Sequence, residues 1–160
     1  MLKLIFELQE VWPKLAWVTV LSREKGTAKI IHGPLVEVRK EWAVEGVWDS
    51  SFENGDFDKS DLVFGSGIRR RGNSIIFVSS ATGVDRLWYV EQAGLTYVSN
   101  TLPGLLSVSS LSLLDSYPSY STDIMSVETE SIYNCKSSIP STGPHINIVY
   151  LKNLFWKFGT

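Results

Sequence analysis

The sequence holds one cysteine, Cys135, so it can form no internal disulfide, and a zinc site built mainly on thiolates is excluded. It has no N-x-S/T sequon with a non-proline middle residue. A reducing, cytoplasmic setting is the expectation. No stretch approaches the roughly 18 uninterrupted apolar residues of a membrane-spanning helix. The opening run, Met1 to Leu8, is apolar but carries Lys3 and Glu7, with Glu10 close behind. It is too short and too charged for a signal segment. Neither sign of charge dominates: 15 basic and 17 acidic residues leave a net charge of -2. That balance supplies no attraction for nucleic acid or an anionic membrane. The signs are interspersed except at Arg69-Arg70-Arg71, and no repeat of fixed period occurs.

What is present is a core and the residues to build sheets. At 160 residues the chain fits one domain over 1–160, standing alone or as the N-terminal half of a longer or split protein. With 44% hydrophobic residues it can fill that core, so disorder is not expected. Six Trp, six Tyr and seven Phe favour strands.

Ala16 to Leu21 and Thr27 to Ile31, joined by Ser22-Arg23-Glu24-Lys25-Gly26, read as a hairpin. Gly33-Pro34 breaks it, and Leu35 to Val38 is a further short strand. Residues 42 to 61 read as a loop anchored by Trp42, Trp48, Phe52 and Phe57, with a turn at Asn54-Gly55. Ser74 to Val78, Arg86 to Glu91 and Leu95 to Ser99 read as three consecutive antiparallel strands, a meander. Ser99 or Asn100 then caps a short helix carrying Pro103, Leu105 and Leu106. Residues 115 to 145 are weakly patterned. Ile146 to Leu151 is a late strand, followed by Phe155, Trp156 and Phe158.

Several residue groups invite a chemical reading. Gly65-Ser66-Gly67 with three arginines suggests a phosphate cradle, but no long helix follows and the third glycine of G-x-G-x-x-G is missing. In a strand, Arg70 faces away from Arg69 and Arg71. A plain turn and strand end is the better reading. Asp56, Asp58 and Asp61 fail the EF-hand pattern, because Asp61 stands where its glycine belongs and Gly67 where its glutamate belongs. His32 and His145 lie far apart and outside any metal-ligand spacing, so neither a metal nor another cofactor is expected. Cys135 has no nucleophile signature around it. An unrecognised serine or cysteine hydrolase remains open, since many serines and two histidines allow a triad to assemble in three dimensions.

The stretch from Gly55 to Leu106 carries a resemblance. Gly55-Asp56-Phe57 precedes a strand ending in Ser79-Ser80. Asp85-Arg86 leads into Leu87-Trp88-Tyr89, then a glycine turn, then Tyr97-Val98-Ser99-Asn100-Thr101-Leu102 entering a Leu-rich helix. This resembles the N-terminal glutamine-amidotransferase-like (Ntn-hydrolase-type) region of asparagine synthase-related proteins. Ile139-Pro140, Tyr150 and Asn153-Leu154 resemble the segment that precedes the synthetase half. The resemblance implies an α+β, β-rich fold: two stacked antiparallel sheets flanked by helices, an amidotransferase-like sandwich. It also implies a synthetase-type partner domain.

Departures from the pattern bear on activity. Active members of that family begin with a cysteine nucleophile whose own α-amino group acts as base. Here Leu2 and Lys3 follow Met1, and no S-G-G-x-D-S pyrophosphate loop occurs. The expectation is a non-catalytic scaffold or regulatory half, with no catalytic residue assigned. The alternative is a pocket for a small polar or anionic ligand at Asp85, Arg86, Ser99 and Asn100, near a helix N-terminus whose free N–H groups favour anions. Phe155, Trp156 and Phe158 are the expected contact with a synthetase-type domain or with a second copy.

Overall fold

Alternation of side chains across extended backbone builds the molecule from two sheets that face each other across an apolar core and carry further apolar clusters on their outer faces. The computed structural model describes residues 2–80, 86–129, 137–149 and 153–157. In chain order its strands are β1 (Lys3–Leu8), β2 (Trp17–Ser22), β3 (Thr27–His32), β4 (Glu37–Arg39), β5 (Trp42–Trp48), β6 (Val63–Arg71), β7 (Ser74–Val78), β8 (Leu87–Gln92) and β9 (Leu95–Ser99). Helices α1 (Leu102–Ser109) and α2 (Tyr120–Thr129) follow, then β10 (Ser138–Ile139), β11 (Ile146–Val149) and β12 (Asn153–Lys157).

One sheet has the order β1-β3-β2-β9-β8-β11-β10 and the other β12-β7-β6-β5-β4. Neighbours are antiparallel except β1 and β3, which run parallel with Lys3 opposite Thr27 and Leu8 opposite His32. The facing surfaces meet in one core. Trp17, Leu21, Ile30, Leu87 and Val98 come from the larger sheet, and Ala43, Ile68, Ile75 and Phe77 from the smaller. The rings of Trp17 and Phe77 stack across it at 6.1 Å.

Each outer face has its own cover. Residues of opposite parity on the larger sheet, Trp88, Val90, Tyr97, Ile146 and Ile148, pack under Leu105 of α1 and Ile124 of α2. On the smaller sheet Trp42, Val44, Val63, Ile76 and Val78 pack under Phe57, which a single 3-10 turn at Asp56–Asp58 carries. The expected α+β sandwich of two stacked sheets is therefore observed, with helices over one face and short 3-10 turns over the other.

Several sequence expectations are corrected. The meander does not form: β7 pairs with β6 in the smaller sheet, while β8 and β9 form a hairpin in the larger. Both groupings satisfy the same alternation, and only the inter-sheet core separates them. Residues 42–48 are strand rather than loop, with Trp42, Val44 and Trp48 on the outer face and Ala43 on the inner. Gly65-Ser66-Gly67 lies inside β6, not in a turn. There Gly65 (φ 109) sits opposite Gly46 (φ 154), and a Cβ on either would collide with the carbonyl oxygen of the facing strand. Thr101, not Ser99 or Asn100, caps α1, its hydroxyl accepting from the Gly104 N–H. The weakly patterned segment after residue 115 contains α2 and β10.

Candidate functional site

Strand direction gives the sandwich two unlike ends. One end gathers the β2–β3, β6–β7 and β8–β9 hairpin turns. At the other, β2 starts, β9 ends and β8 starts.

At the hairpin end the charged side chains close on one another. Arg70 donates from Nε and Nη2 to both Glu41 carboxylate oxygens, each at 2.6 Å, and its Nη1 donates to the Leu2 carbonyl. Arg71 donates to Asp58 at 2.8 and 3.0 Å and to Asp56 at 2.6 Å. Arg69 donates to the Gly55 carbonyl at 2.7 Å. The triplet is divided as strand alternation requires, with Arg69 and Arg71 on one face and Arg70 on the other. The hydrogen bonds from Arg70 hold the Glu41 carboxyl below the usual range, and those from Arg71 do the same for Asp56. Burial pulls the Arg69 guanidinium down, whereas the Asp58 carboxylate raises Arg71. Asp56 and Asp58, two of the three carboxylates that fail the calcium-loop pattern, are thus arginine partners.

Leu2 belongs to this end. It is 2% exposed and lies in the inter-sheet core. Its N–H donates to Asn73 Oδ1 at 3.3 Å in the β6–β7 turn. The start of β1 is therefore held on both sides by polar groups of the neighbouring sheet.

At the opposite end the described residues form a cleft of about 300 Å³, lined by Pro13, Leu15 and Ala16 ahead of β2, by Glu45 and Ser66 from β5 and β6, and by Arg86, Asn100 and Thr101. The buried Trp17 indole N–H donates to Ser66 Oγ at 3.0 Å, and Ser66 donates to Glu45 Oε1 at 2.6 Å. Beyond Glu45 and Ser66 the same strand faces continue to the cross-strand pair Val47 and Phe64, which are 61% and 53% exposed. They give the cleft end an apolar lip. A carboxylate, a guanidinium and neutral hydrogen-bonding groups thus meet beside apolar surface, an arrangement suited to a small polar molecule.

Of the four residues nominated from the sequence, Arg86 and Asn100 line this cleft together. Arg86 also donates to the Ile124 carbonyl of α2 at 2.9 Å. Asn100 accepts from Trp17 N–H at 2.9 Å and donates to the Leu15 carbonyl at 2.9 Å. Ser99 is fully buried, donating to the Trp17 carbonyl and accepting from Thr101 N–H. Asp85 lies outside the described residues. Glu45 and Ser66 line the cleft without having been nominated from the sequence. The signal for Glu45 is the alternation of residues 42–48, and for Ser66 its place opposite Glu45 in β6, both legible only once Gly46 and Gly65 are allowed within paired strands.

The remaining candidates lie elsewhere. His32 is buried, with Nδ1 3.0 Å from the Gly33 carbonyl oxygen. His145 lines a separate cavity with Tyr117 and Pro140. Cys135 and Phe158 lie outside the described residues, while Phe155 and Trp156 fall in β12, the edge strand beside β7. Among the described residues no group of three or more His, Cys, Asp or Glu side chains is placed to hold a metal, and no helix is long and apolar enough to cross a membrane. No family model matches the chain, and neither a curated protein nor a solved structure shows significant similarity to it.

Proposed function

We propose that the chain is a non-catalytic amidotransferase-like domain of an asparagine synthase-related protein, acting as a scaffold or regulatory half for a synthetase-type partner. The observation that carries this reading is Leu2. In active members the corresponding place holds a thiol that must reach glutamine; here it is an aliphatic side chain enclosed between the sheets. Its backbone is tied to Asn73 and Arg70, and Arg70 is in turn held by Glu41. An enclosed aliphatic side chain held in this way supports a structural use of the sandwich.

Two measurements test the proposal. The purified chain incubated with glutamine should release no ammonia. Co-expressed with a pyrophosphate-loop protein encoded beside it, the chain should co-purify, and ATP–pyrophosphate exchange by that partner should depend on its presence. Glutamine hydrolysis by the chain alone, or exchange indifferent to it, would overturn the reading.

The cleft favours a second reading, a pocket for a small polar or anionic ligand, because it brings Arg86 and Asn100 beside Glu45. A thermal-shift screen over amino acids and nucleotides tests it. A ligand at a hundred times its dissociation constant should add about 2.7 kcal/mol of stability. The gain should shrink in the Arg86→Gln variant.

A further inference from the structure

Edge strands expose backbone donors and acceptors that a second chain can pair with. β1 is the longest open edge among the described residues. It has six residues and is paired on one side only, with β3. β12 has five residues, β4 has three, with Glu37 and Arg39 closing on each other there, and β10 has two. The odd-numbered residues of β1 direct their backbone groups inward: Lys3 N–H donates to the Gly26 carbonyl, and Gln9 N–H, just beyond the strand, to that of His32. Strand alternation therefore turns the N–H and C=O groups of Leu4, Phe6 and Leu8 toward the open edge.

We propose that this edge is a self-association surface whose occupant is β1 of a second copy, running antiparallel about a two-fold axis at Ile5. The backbone and the side chains agree on that register. It pairs Leu4 with Phe6, the residues whose backbone groups face the edge, so each pair exchanges two hydrogen bonds. Ile5 meets Ile5, and Lys3 meets Glu7 twice, in the closer, non-hydrogen-bonded positions where side chains interact best. Shifting the partner by one residue would face inward-bonded positions with edge-facing ones and break the ladder. Shifting it by two, which moves the axis to Leu4 or Phe6, would end the Lys3–Glu7 match.

The side chains suit the join. Ile5 and Leu8 are 38% and 48% exposed, while Leu4 and Phe6 are only partly buried against the inter-sheet core. Lys3 is exposed, and Glu7 is anchored by Lys29 at 2.6 Å and Gln9 at 3.0 Å, ready to receive a second cation. Edges that avoid pairing carry charges that repel a copy of themselves. This one carries opposite charges placed symmetrically about its centre, which is the isologous pattern of a two-fold dimer.

Sedimentation equilibrium of the full chain, from micromolar to millimolar concentration, provides the test. The chain should dimerise. Lys3→Glu sets Glu7 against a like charge, and Glu7→Lys does the same to Lys3, so each variant alone should dissociate at least about tenfold more readily. Mixed one to one, the two variants restore both opposite-charge pairs and should associate as the original chain does. Unchanged far-ultraviolet circular dichroism will show that each variant is folded. A chain that stays monomeric throughout, variants that dimerise undiminished, or a mixture no tighter than its components would each overturn the proposal.

Discussion

The two ends of the sandwich use the same kinds of residue for opposite purposes. At the hairpin end, Arg70 closes on Glu41 and Arg71 on Asp56 and Asp58, and Leu2 is enclosed behind them. At the other end, Glu45 and Arg86 share the wall of a cleft, and the start of β2 is held by neutral groups, Ser99 and Asn100 on its backbone and Ser66 on the Trp17 indole, while Glu45 accepts from Ser66 and Arg86 donates to the Ile124 carbonyl. Ion pairs in partial solvent weaken with salt and acid, whereas neutral hydrogen bonds hardly respond to either. The hairpin end and the start of β2 should therefore differ in what loosens them.

The largest effect should come from the residue that joins the core to the cleft. Trp17→Ala removes the stack on Phe77 and the bond to Ser66 together, and should cost about 3–5 kcal/mol in urea unfolding. Trp17→Phe keeps most of the packing but leaves Ser66 without its donor, so it should cost much less and change the cleft more than the core.

Next, Arg70→Met breaks the closure of the hairpin end, losing the bonds to Glu41 and to the Leu2 carbonyl. A cost of about 1.5–3 kcal/mol is expected at low salt, becoming smaller as salt is raised. Asn100→Ala breaks the other end. It orphans the buried Trp17 N–H and should cost about 1–3 kcal/mol with no salt dependence. Equal salt responses in the two variants would erase the contrast between the ends.

The smallest effect is the pH response. The folded protein holds the Glu41 and Asp56 carboxyls below their ordinary values, mainly through hydrogen bonds from Arg70 and Arg71. Their contribution is complete above the unfolded values of about 4 and is lost as pH falls through the lower folded ones. Urea midpoints should be level from neutrality down to about pH 5 and decline below pH 4. Arg70→Met should flatten that decline, and Asn100→Ala should leave its shape unchanged.

Much of this architecture is legible in the sequence. The β2–β3 hairpin, the turns at Gly72-Asn73 and Ala93-Gly94, the helix carrying Leu105 and the strand from Ile146 follow from local alternation and turn chemistry. β1 does not read as a strand from the sequence, because Lys3 and Glu7 interrupt its apolar run at an edge where one side stays open. β5 read as a loop because Glu45-Gly46 interrupts the run, although Gly46 is there to let β6 approach.

Of the site, Arg86 and Asn100 were nominated from the sequence, but their neighbours Glu45 and Ser66 were not. By itself, the sequence determined the β-rich class, the division of Arg69, Arg70 and Arg71 between two faces, and the absence of a thiol at position 2, since each follows from residue identity and strand period. Only the tertiary structure decided which hairpin joins which sheet and which carboxylate each arginine meets. It also decided that Glu45 faces a cleft while Glu41 is closed by Arg70. Alternation fixes the face a side chain takes on its own strand, but what lies opposite depends on how two sheets stack, and that is set by contacts between residues far apart in the chain.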